Sequence, residues 1–199
     1  MIMKGIIPVM LLGLLLGCSA ESKKSDSGSY TSAAKIALDG KPTSVGGVTF
    51  TPPSIWKDLG PSGMREANYA FGPLEGEHDS ATMAVFFFGT GGGGIQDNIE
   101  RWIGQISLPG GGDPHSTARR EDFEAGGMKA HLVEVAGTYN ASMGGPMSGQ
   151  TVPKENYYMM AIVLEAPEGN LFFKLTGPVR TAKEMASAFR AAVENVRKG

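Results

Sequence analysis

The most distinctive chemical pattern in the sequence is a glycine tract from Gly89 to Gly94, interrupted only by Thr90. It fits G-x-G-x-x-G between an apolar run and an amphipathic segment, where a dinucleotide phosphate would lie on a helix N-terminus. A tract made of glycine produces this pattern almost by default, and Asp97 and Glu100 would repel a phosphate. No acidic strand end follows about twenty residues later. We therefore interpret the tract as a hinge or a place of close backbone approach.

The residues beside this tract define a candidate binding surface. Amide, guanidinium and indole groups next to exposed glycines are groups that anchor ligands or partners. The candidate surface consists of Gly91, Gly92, Gly93, Asn98, Arg101 and Gln105. Trp102 lies next to it but also falls on the apolar stripe of the segment. The pattern favours the alternative in which Trp102 is a core residue and Arg101 an ordinary surface residue.

No other arrangement of residues requires a catalytic explanation, and we predict that the protein is not an enzyme. The sequence has no G-x-S-x-G elbow, and His78, His115 and His131 lie on separate predicted elements. Ser32 and Lys35 match S-x-x-K, but in a polar segment without its partner motifs. Acidic pairs for glycoside chemistry stay open, because they depend on distance in space.

Two segments bring metal-ligand types together without a diagnostic spacing. Residues 75–79 hold three carboxylates and one histidine, and we expect a solvated loop there. Met143 and Met147 offer soft thioethers for copper(I), but no third ligand follows at a recognisable spacing. They lie in Asn140 to Pro153, which has no hydrophobic period and predicts a mobile loop. The sequence therefore predicts no metal site and no cofactor.

The first eighteen residues have the pattern of an export signal. Lys4 precedes an apolar run that is too short to span a bilayer comfortably. Leu15-Leu16-Gly17-Cys18 resembles the lipobox of bacterial lipoproteins, which implies that Cys18 becomes the acylated N-terminus. Because Cys18 is the only cysteine, no disulfide and no thiolate metal site are expected.

The predicted lipid anchor fixes the expected location. Two or three acyl chains hold a protein at a membrane, so we expect a cell-envelope protein attached through Cys18. Ser19 after the cysteine implies, by the same resemblance, the outer membrane facing the periplasm if the cell has two membranes. The formal net charge is -2 with no block of like charge, which argues against a nucleic-acid partner.

The chain is predicted to divide into three parts. Residues 1–18 are the signal peptide, and residues 19–37 are too polar to fold and form a flexible tether. Residues 38–199 are enough for one domain with a single core.

Periodicity predicts the elements that position the candidate surface. Met83 to Phe88 is an apolar run that predicts a central strand covered on both faces. Ile99 to Ile106 continues as a helical stripe, with Asp97 as its cap and Glu100 completing a capping box. Thr181 and Glu184 repeat that capping pattern before a final helix with an apolar stripe.

The remaining strands are predicted from alternation and turns. Val48 to Thr51 and Met64 to Phe71 each predict a strand, and Ile55 and Trp56 are expected to pack the turn between them onto the core. One hairpin is expected around Gly126-Gly127 and a second around Pro167 to Asn170, the second in the middle of the sheet.

The segments MREANYAF, FFFGTGGGG, NIERWIGQ and FFKLTGP resemble a group of uncharacterised exported bacterial proteins. The order of elements over about Val45 to Gly199 is similar to the PsbP, Mog1 and DcrB fold. This resemblance implies an α+β fold, with an antiparallel sheet of about six to seven strands between helices as an α/β/α sandwich.

The resemblance also implies a function. Members of that fold mostly act as non-catalytic binding or assembly factors, so a protein partner in the envelope is expected. A small-ligand or metal carrier is the first alternative. An envelope enzyme with a site near Gly89 to Gly94 is the second. No functional residue transfers from the family.

Overall fold

A computed structural model describes residues 36–143 and 150–199 of the chain. The predicted signal, lipidation of Cys18 and most of the tether lie outside these residues, as do the side chains of Met143 and Met147. Neither described helix has the length and hydropathy that a membrane span requires.

The described residues form one large antiparallel sheet, one small sheet and two α-helices. The helices are α1 (Ile95–Ile103) and α2 (Val179–Glu194). The strands of the small sheet are β1 (Thr43–Val45), β2 (Val48–Phe50) and β11 (Arg197–Lys198). Those of the large sheet are β3 (Lys57–Asp58), β4 (Ala67–Phe71), β5 (Ala81–Phe87), β6 (Ile106–Ser107), β7 (Arg119–Ala125), β8 (Met128–Met143), β9 (Gln150–Ala166) and β10 (Gly169–Pro178).

The order of the large sheet is β3-β4-β5-β10-β9-β8-β6, and β7 pairs with the first half of β8. This confirms the predicted α+β class with an antiparallel sheet. The sheet has eight strands, of which β3 and β6 are only two residues long. β9 and β10 lie at its centre, as the aromatic and aliphatic character of that hairpin predicted.

The two helices pack on opposite faces of the large sheet, because strand side chains alternate between faces. Leu171, Phe173 and Leu175 of β10 pack in one cluster with α2. Phe172 packs in a second cluster with α1. The layers are therefore helix, sheet and helix.

The helices cover their faces unequally. α2 has sixteen residues and α1 has nine, which correspond to about 24 Å and about 13 Å of helix. The shorter helix α1 therefore covers only part of its face of the sheet. The sheet residues buried beneath it include Val133, Met159 and Phe172. The remainder of that face is open. The difference in helix length thus decides where a binding site can lie.

The central strand is found at Ala81–Phe87, but the prediction that it is covered on both faces is wrong at its end. Phe86 and Phe87 are half-buried, and Phe88, just after the strand, is 43% exposed. An apolar run shows that a strand prefers burial, but it cannot show how far the following helix extends over it.

Both predicted capping boxes are wrong. α1 begins at Ile95 with Gly94 as its N-cap residue, and Asp97 lies within the first turn without capping it. α2 begins at Val179 after Pro178, without a cap from its own side chains. Its first amides donate instead to the carboxylate of Glu77, from Arg180 N at 3.1 Å and Thr181 N at 2.8 Å.

Other boundaries also differ from prediction. α1 ends at Ile103, and Ile106 belongs to β6, where it pairs with Tyr139. Ile55 and Met64 are exposed, whereas Trp56 is buried as expected.

The predicted loop from Asn140 to Pro153 is wrong at both ends. β8 and β9 remain paired there, from Asn140 opposite Pro153 to Met143 opposite Gln150. The ladder continues past a register shift between Gly137 and Tyr139 into a segment that has no hydrophobic period.

Both predicted hairpins are confirmed. β7 and β8 meet at Gly126 and Gly127, which have φ of 57° and 71°, and β9 and β10 meet before Gly169. Positive φ is the conformation that glycine adopts without steric cost. The residues of the turn alone were therefore sufficient to predict these two hairpins.

Candidate groove on the open sheet face

The open part of the α1 face forms a groove with a volume of about 1110 Å³. Its floor consists of outward-facing side chains of β5 and β10. α1 and the preceding glycine loop contribute Gly91, Gly92, Asn98, Arg101 and Trp102. Tyr139 and Tyr157 lie where β8 and β9 extend beyond the helix. We call this site the sheet groove.

The glycine loop lies close to other backbone and ring atoms. A Cβ atom on Gly92 would lie 2.6 Å from the ring of Phe172, and one on Gly169 would lie 2.2 Å from the carbonyl oxygen of Gly89. Glycine is therefore required for this packing. The predicted role as a place of close approach is confirmed.

Asn98 holds the loop and α1 together. Its side chain is 6% exposed, and its Nδ2 donates to the carbonyl oxygens of Gly92 at 2.9 Å and Gly94 at 2.8 Å. The Oδ1 atom of Asn98 accepts a hydrogen bond from the guanidinium of Arg101. One buried amide thus orders the loop and orients a cation toward the groove.

Lys174 lies on the groove floor, on the central strand β10. Its Nζ donates to Oε1 of Gln105 and lies 5.8 Å from the ring centroid of Trp102 and 5.2 Å from that of Tyr139. Burial first, and then the positive charges of Arg101 and Arg65, together lower the pKa of Lys174 to about 7. The low pKa therefore has two causes, desolvation and like charge.

Three of the four basic residues that line the groove share one property: each donates to a neutral amide. Lys174 donates to Gln105 and Arg101 to Asn98, and Arg65 Nη1 donates to Oδ1 of Asn68 at 3.2 Å. Within residues 36–143 and 150–199, none of the three forms a salt bridge with a carboxylate. We call Lys174, Arg101 and Arg65 the cation trio.

The other end of the groove carries a compensated charge. Oδ2 of Asp79 accepts from Lys154 Nζ at 2.8 Å and from the Tyr157 hydroxyl at 2.6 Å. These two hydrogen bonds lower the pKa of Asp79. Burial and the hydrogen bond to Asp79 raise the pKa of Tyr157. Tyr157 also stacks on Tyr139 at a centroid distance of 6.1 Å.

The register of β5 and β10 orders the groove into rows. Phe86 lies opposite Phe172, Ala84 opposite Lys174, and Thr82 opposite Thr176. Successive rows on one face are about 6.6 Å apart. The groove therefore passes from an aromatic end, through a cationic middle, to a hydroxyl end.

The structure brings most of the candidate surface together. Gly91, Gly92, Asn98, Arg101 and Gln105 all line the groove, and Gly93 lies in the same loop without lining it. Trp102 is 6% exposed and packs edge-on against Phe172. It is thus a core residue, as the pattern favoured, and it also contributes an edge to the groove.

Sequence reasoning missed Lys174, Arg65 and the tyrosines of the groove. The available signal was the lysine in FFKLTG, a charge inside an apolar strand at a position that faces away from Phe173 and Leu175. No local pattern links Lys174 to Arg65, which lies 109 positions earlier in the chain.

The histidines and the acidic segment lie apart from the groove centre. His131 lies between Glu165 and Asp122, with ring nitrogens 2.8 Å and 2.9 Å from their carboxylates, so its ring nitrogens are satisfied as predicted. His115 Nδ1 lies 3.0 Å from Glu100. Among the described residues, no three His, Cys, Asp or Glu side chains converge as a metal site requires.

Comparison with known proteins gives similarity in structure only. Neither a protein-family model nor a curated protein sequence matches the chain. The solution structure of the cyanobacterial PsbP of Synechocystis sp. PCC 6803 is similar, with a TM-score of 0.48 and 12% identity over 85% of this chain and 99% of that chain.

Two further structures are similar at the level of fold. LpqN, involved in cell envelope biogenesis of Mycobacterium tuberculosis, has a TM-score of 0.46 and 14% identity over 80% of this chain and 84% of its own. A protein of unknown function from Pseudomonas aeruginosa, a putative regulator, has a TM-score of 0.35 and 13% identity over 77% of this chain and 93% of its own. PsbP, the fold that the sequence resembled, is thus among the similar structures.

Proposed function

We propose that this protein is a non-catalytic binding protein of the cell envelope, anchored through acylated Cys18, and that the sheet groove is its binding site. The observation that carries the proposal is the groove itself, about 1110 Å³ of open sheet face lined by three basic side chains that have no carboxylate partner among the described residues. Pockets that bind small molecules typically measure about 300–1,000 Å³. The groove is large enough for a ligand or for a segment of a partner.

The burial pattern supports a binding role for this face. A sheet face with Phe86 and Phe88 partly exposed would be covered if it served only the core. Aromatic side chains beside arginine are typical of binding surfaces. The described groove has one carboxylate, Asp79, and it is already engaged with Lys154 and Tyr157. A binding role, unlike a catalytic one, needs no free carboxylate in the groove.

The location is proposed from the sequence. Leu15 to Cys18 carries the lipobox, and acylation would attach the domain to the outer membrane, facing the periplasm, if the cell has two membranes. An envelope protein would then be its partner or the source of its ligand.

The binding site can be tested in cells by photocrosslinking. A photoreactive phenylalanine analogue at Phe88, which is 43% exposed in the groove, should capture a ligand or partner. Leu59 is the matched control, because it is 45% exposed and does not line the groove. An adduct that forms from position 88 and not from position 59 supports the proposal. Identical adducts from both positions, or none from position 88, contradict it.

The anchor has its own test. Cells fed an alkyne-labelled fatty acid should incorporate it into the wild-type protein and not into Cys18→Ser, and the variant should leave the membrane fraction. A wild-type protein that never incorporates the label would show that the anchoring proposal is wrong.

A further inference from the structure

The charges of the groove indicate the chemistry of its ligand, provided that the groove is the binding site proposed above. Lys174, Arg101 and Arg65 are close enough for the two arginines to lower the pKa of the lysine. Their hydrogen-bond partners are the amides of Gln105 and two asparagines. An amide oxygen satisfies a donor without neutralising its charge. The trio therefore keeps an uncompensated positive charge.

Several other cations of the described chain are paired with carboxylates instead. Arg190 binds Glu121 and Glu194, and Arg119 binds Glu121 and Glu134. At the hydroxyl end of the same groove, Lys154 is paired with Asp79. The trio thus differs from these paired cations, and a charge without a carboxylate partner is complementary to an anion.

The row next to the trio is apolar and aromatic. Phe88 lies 6.0 Å from Phe172 and 6.3 Å from Phe86, measured between ring centroids, and its ring stacks on Phe86. Gly91 and Gly92 border this row without side chains. An extended apolar surface is therefore available beside the rings.

The spacing fixes how the two parts of a ligand are joined. Phe172 and Lys174 point to the same face of β10 in adjacent rows, about 6.6 Å apart. An apolar group bonded directly to an anionic group spans this distance. Inorganic phosphate would use only the trio, and a neutral aromatic molecule would use only the rings.

We propose that the sheet groove binds an amphiphilic anion, with its carboxylate or phosphate on Lys174, Arg101 and Arg65 and its apolar body on Phe86, Phe88 and Phe172. The same chemistry is present in the head of an anionic lipid and in a free aromatic or aliphatic acid. The two sources differ in the length of the apolar body.

The test is calorimetric titration of the full chain, as isolated from cells and held in phosphatidylcholine nanodiscs, with empty nanodiscs as reference. The probes are naphthyl phosphate, naphthoate, naphthol and inorganic phosphate. The two amphiphilic anions should bind about tenfold or more tightly than naphthol or inorganic phosphate. Naphthol that binds as tightly as naphthyl phosphate would overturn the proposal.

Substitutions localise the effect. Lys174→Met keeps the length of the side chain and removes the charge, so it should weaken binding of naphthyl phosphate about tenfold while leaving naphthol unchanged. Lys183→Met is the matched control, because Lys183 lies 5.8 Å from the ring of Tyr158 and does not line the groove. Equal losses in the two variants would overturn the assignment.

A second variant guards against misfolding. Arg101 is exposed, so Arg101→Met should fold even if Lys174→Met does not. It should likewise weaken the binding of naphthyl phosphate and naphthoate and leave the binding of naphthol unchanged. Unchanged anion binding in Arg101→Met, with the circular dichroism of the wild type, would contradict the proposal.

The source of the ligand follows from a second series. Short alkyl phosphates and a soluble short-chain phosphatidic acid compete with naphthyl phosphate, and stronger competition by the lipid identifies a lipid head. If photocrosslinking from position 88 succeeds but the anions bind no more tightly than naphthol, the groove binds another class of ligand. If the anions bind but no adduct forms in cells, the site chemistry stands and the proposed function fails.

Discussion

The two faces of the large sheet are made from the same strands, but one is core and the other is partly an open groove. On the α2 face, Met185, Phe189 and Val193 are fully buried in a cluster that extends across the sheet. On the α1 face, a helix of nine residues leaves Phe86 and Lys174 in the groove. The difference shows that the length of the covering layer decides which face becomes a site.

Arg190 on the α2 face and the cation trio on the α1 face differ in their hydrogen-bond partners. On the α2 face, both carboxylate oxygens of Glu121 accept from Arg190, at 2.6 Å and 2.8 Å. On the α1 face, the cation trio has amide partners only. Carboxylate pairing makes a charge part of the scaffold, whereas amide pairing positions the charge and leaves it available to a ligand.

The largest expected difference concerns packing. Phe189→Ala should lower the free energy of unfolding by about 3–5 kcal/mol, because the ring is fully buried and its loss leaves a cavity. Phe88→Ala on the open face is the control and should cost less than about 1 kcal/mol. Urea unfolding of both variants measures this. Similar losses of unfolding free energy in the two variants would mean that Phe88 is buried and that this face is covered.

Lys174→Met should stabilise the ligand-free protein at low pH. The pKa of Lys174 is about 7 in the folded protein and 10.5 ordinarily, so the unfolded chain takes up this proton first as pH falls. The penalty on folding grows from about pH 10.5 to pH 7 and is complete below that. The variant should gain roughly 1–4 kcal/mol near pH 6, after allowance for partial exposure.

The measurement is urea unfolding at about pH 6 and about pH 9.5, where the gain should shrink. A constant difference between Lys174→Met and wild type at both pH values would mean that the lysine is not desolvated.

Arg190→Met and Arg101→Met compare a paired with an amide-held cation. Arg190→Met should cost about 1 kcal/mol, because both partners are partly exposed. Arg101→Met should change stability by less than about 0.5 kcal/mol. Arg190 and Arg119 lower the pKa of Glu121 to about 2. The stabilisation of the folded protein by ionised Glu121 is therefore complete above about pH 4.5 and is lost as the pH falls toward 2.

Acid titration of unfolding free energy checks this prediction. Arg190→Met should flatten the loss of stability between pH 4.5 and pH 2, and Arg101→Met should not. If both variants flattened it equally, the distinction between the two kinds of partner would be incorrect.

The smallest expected effect is at His131, which lies on the α1 face but has carboxylate partners. Burial lowers the pKa of His131, and the hydrogen bonds to Glu165 and Asp122 outweigh this and raise it above 6.5. Its stabilisation is complete below about 6.5 and is lost as pH rises through the raised pKa. His131→Gln should therefore cost about 0.5–1 kcal/mol near pH 6 and almost nothing near pH 9.

Urea unfolding of His131→Gln and of the wild type between about pH 6 and about pH 9 measures this cost. A cost that persists unchanged at the higher pH would show that the ring acts through packing. The expected outcome would show that partner chemistry, rather than the face of the sheet, determines how a cation behaves.

Short-range chemistry made much of the fold predictable. The double glycine before β8, the turn before β10 and the apolar stripe of α2 each lie within a few neighbouring residues, and their elements were predicted. The candidate surface beside the glycine tract could be proposed from the sequence, because Asn98, Arg101 and Gln105 lie within one short segment.

Long-range contacts were not predictable in the same way. Glu77 caps α2 across 104 positions, and Lys174 meets Gln105 across 69. A local capping pattern was therefore assigned to α2 in place of its contact with Glu77. The exposure of Phe88 depends on where a separate helix ends, which no run of apolar residues can encode by itself.

The sequence alone determined which residues alternate in and out of the sheet, where the chain turns, and that one amphipathic segment carries amide and guanidinium groups beside glycines. Only the tertiary structure decided that α1 leaves part of its face open and that cations from three distant segments meet there without carboxylates. The reason is that alternation and turns are set by neighbouring residues, whereas burial and charge compensation are sums over everything that packs nearby.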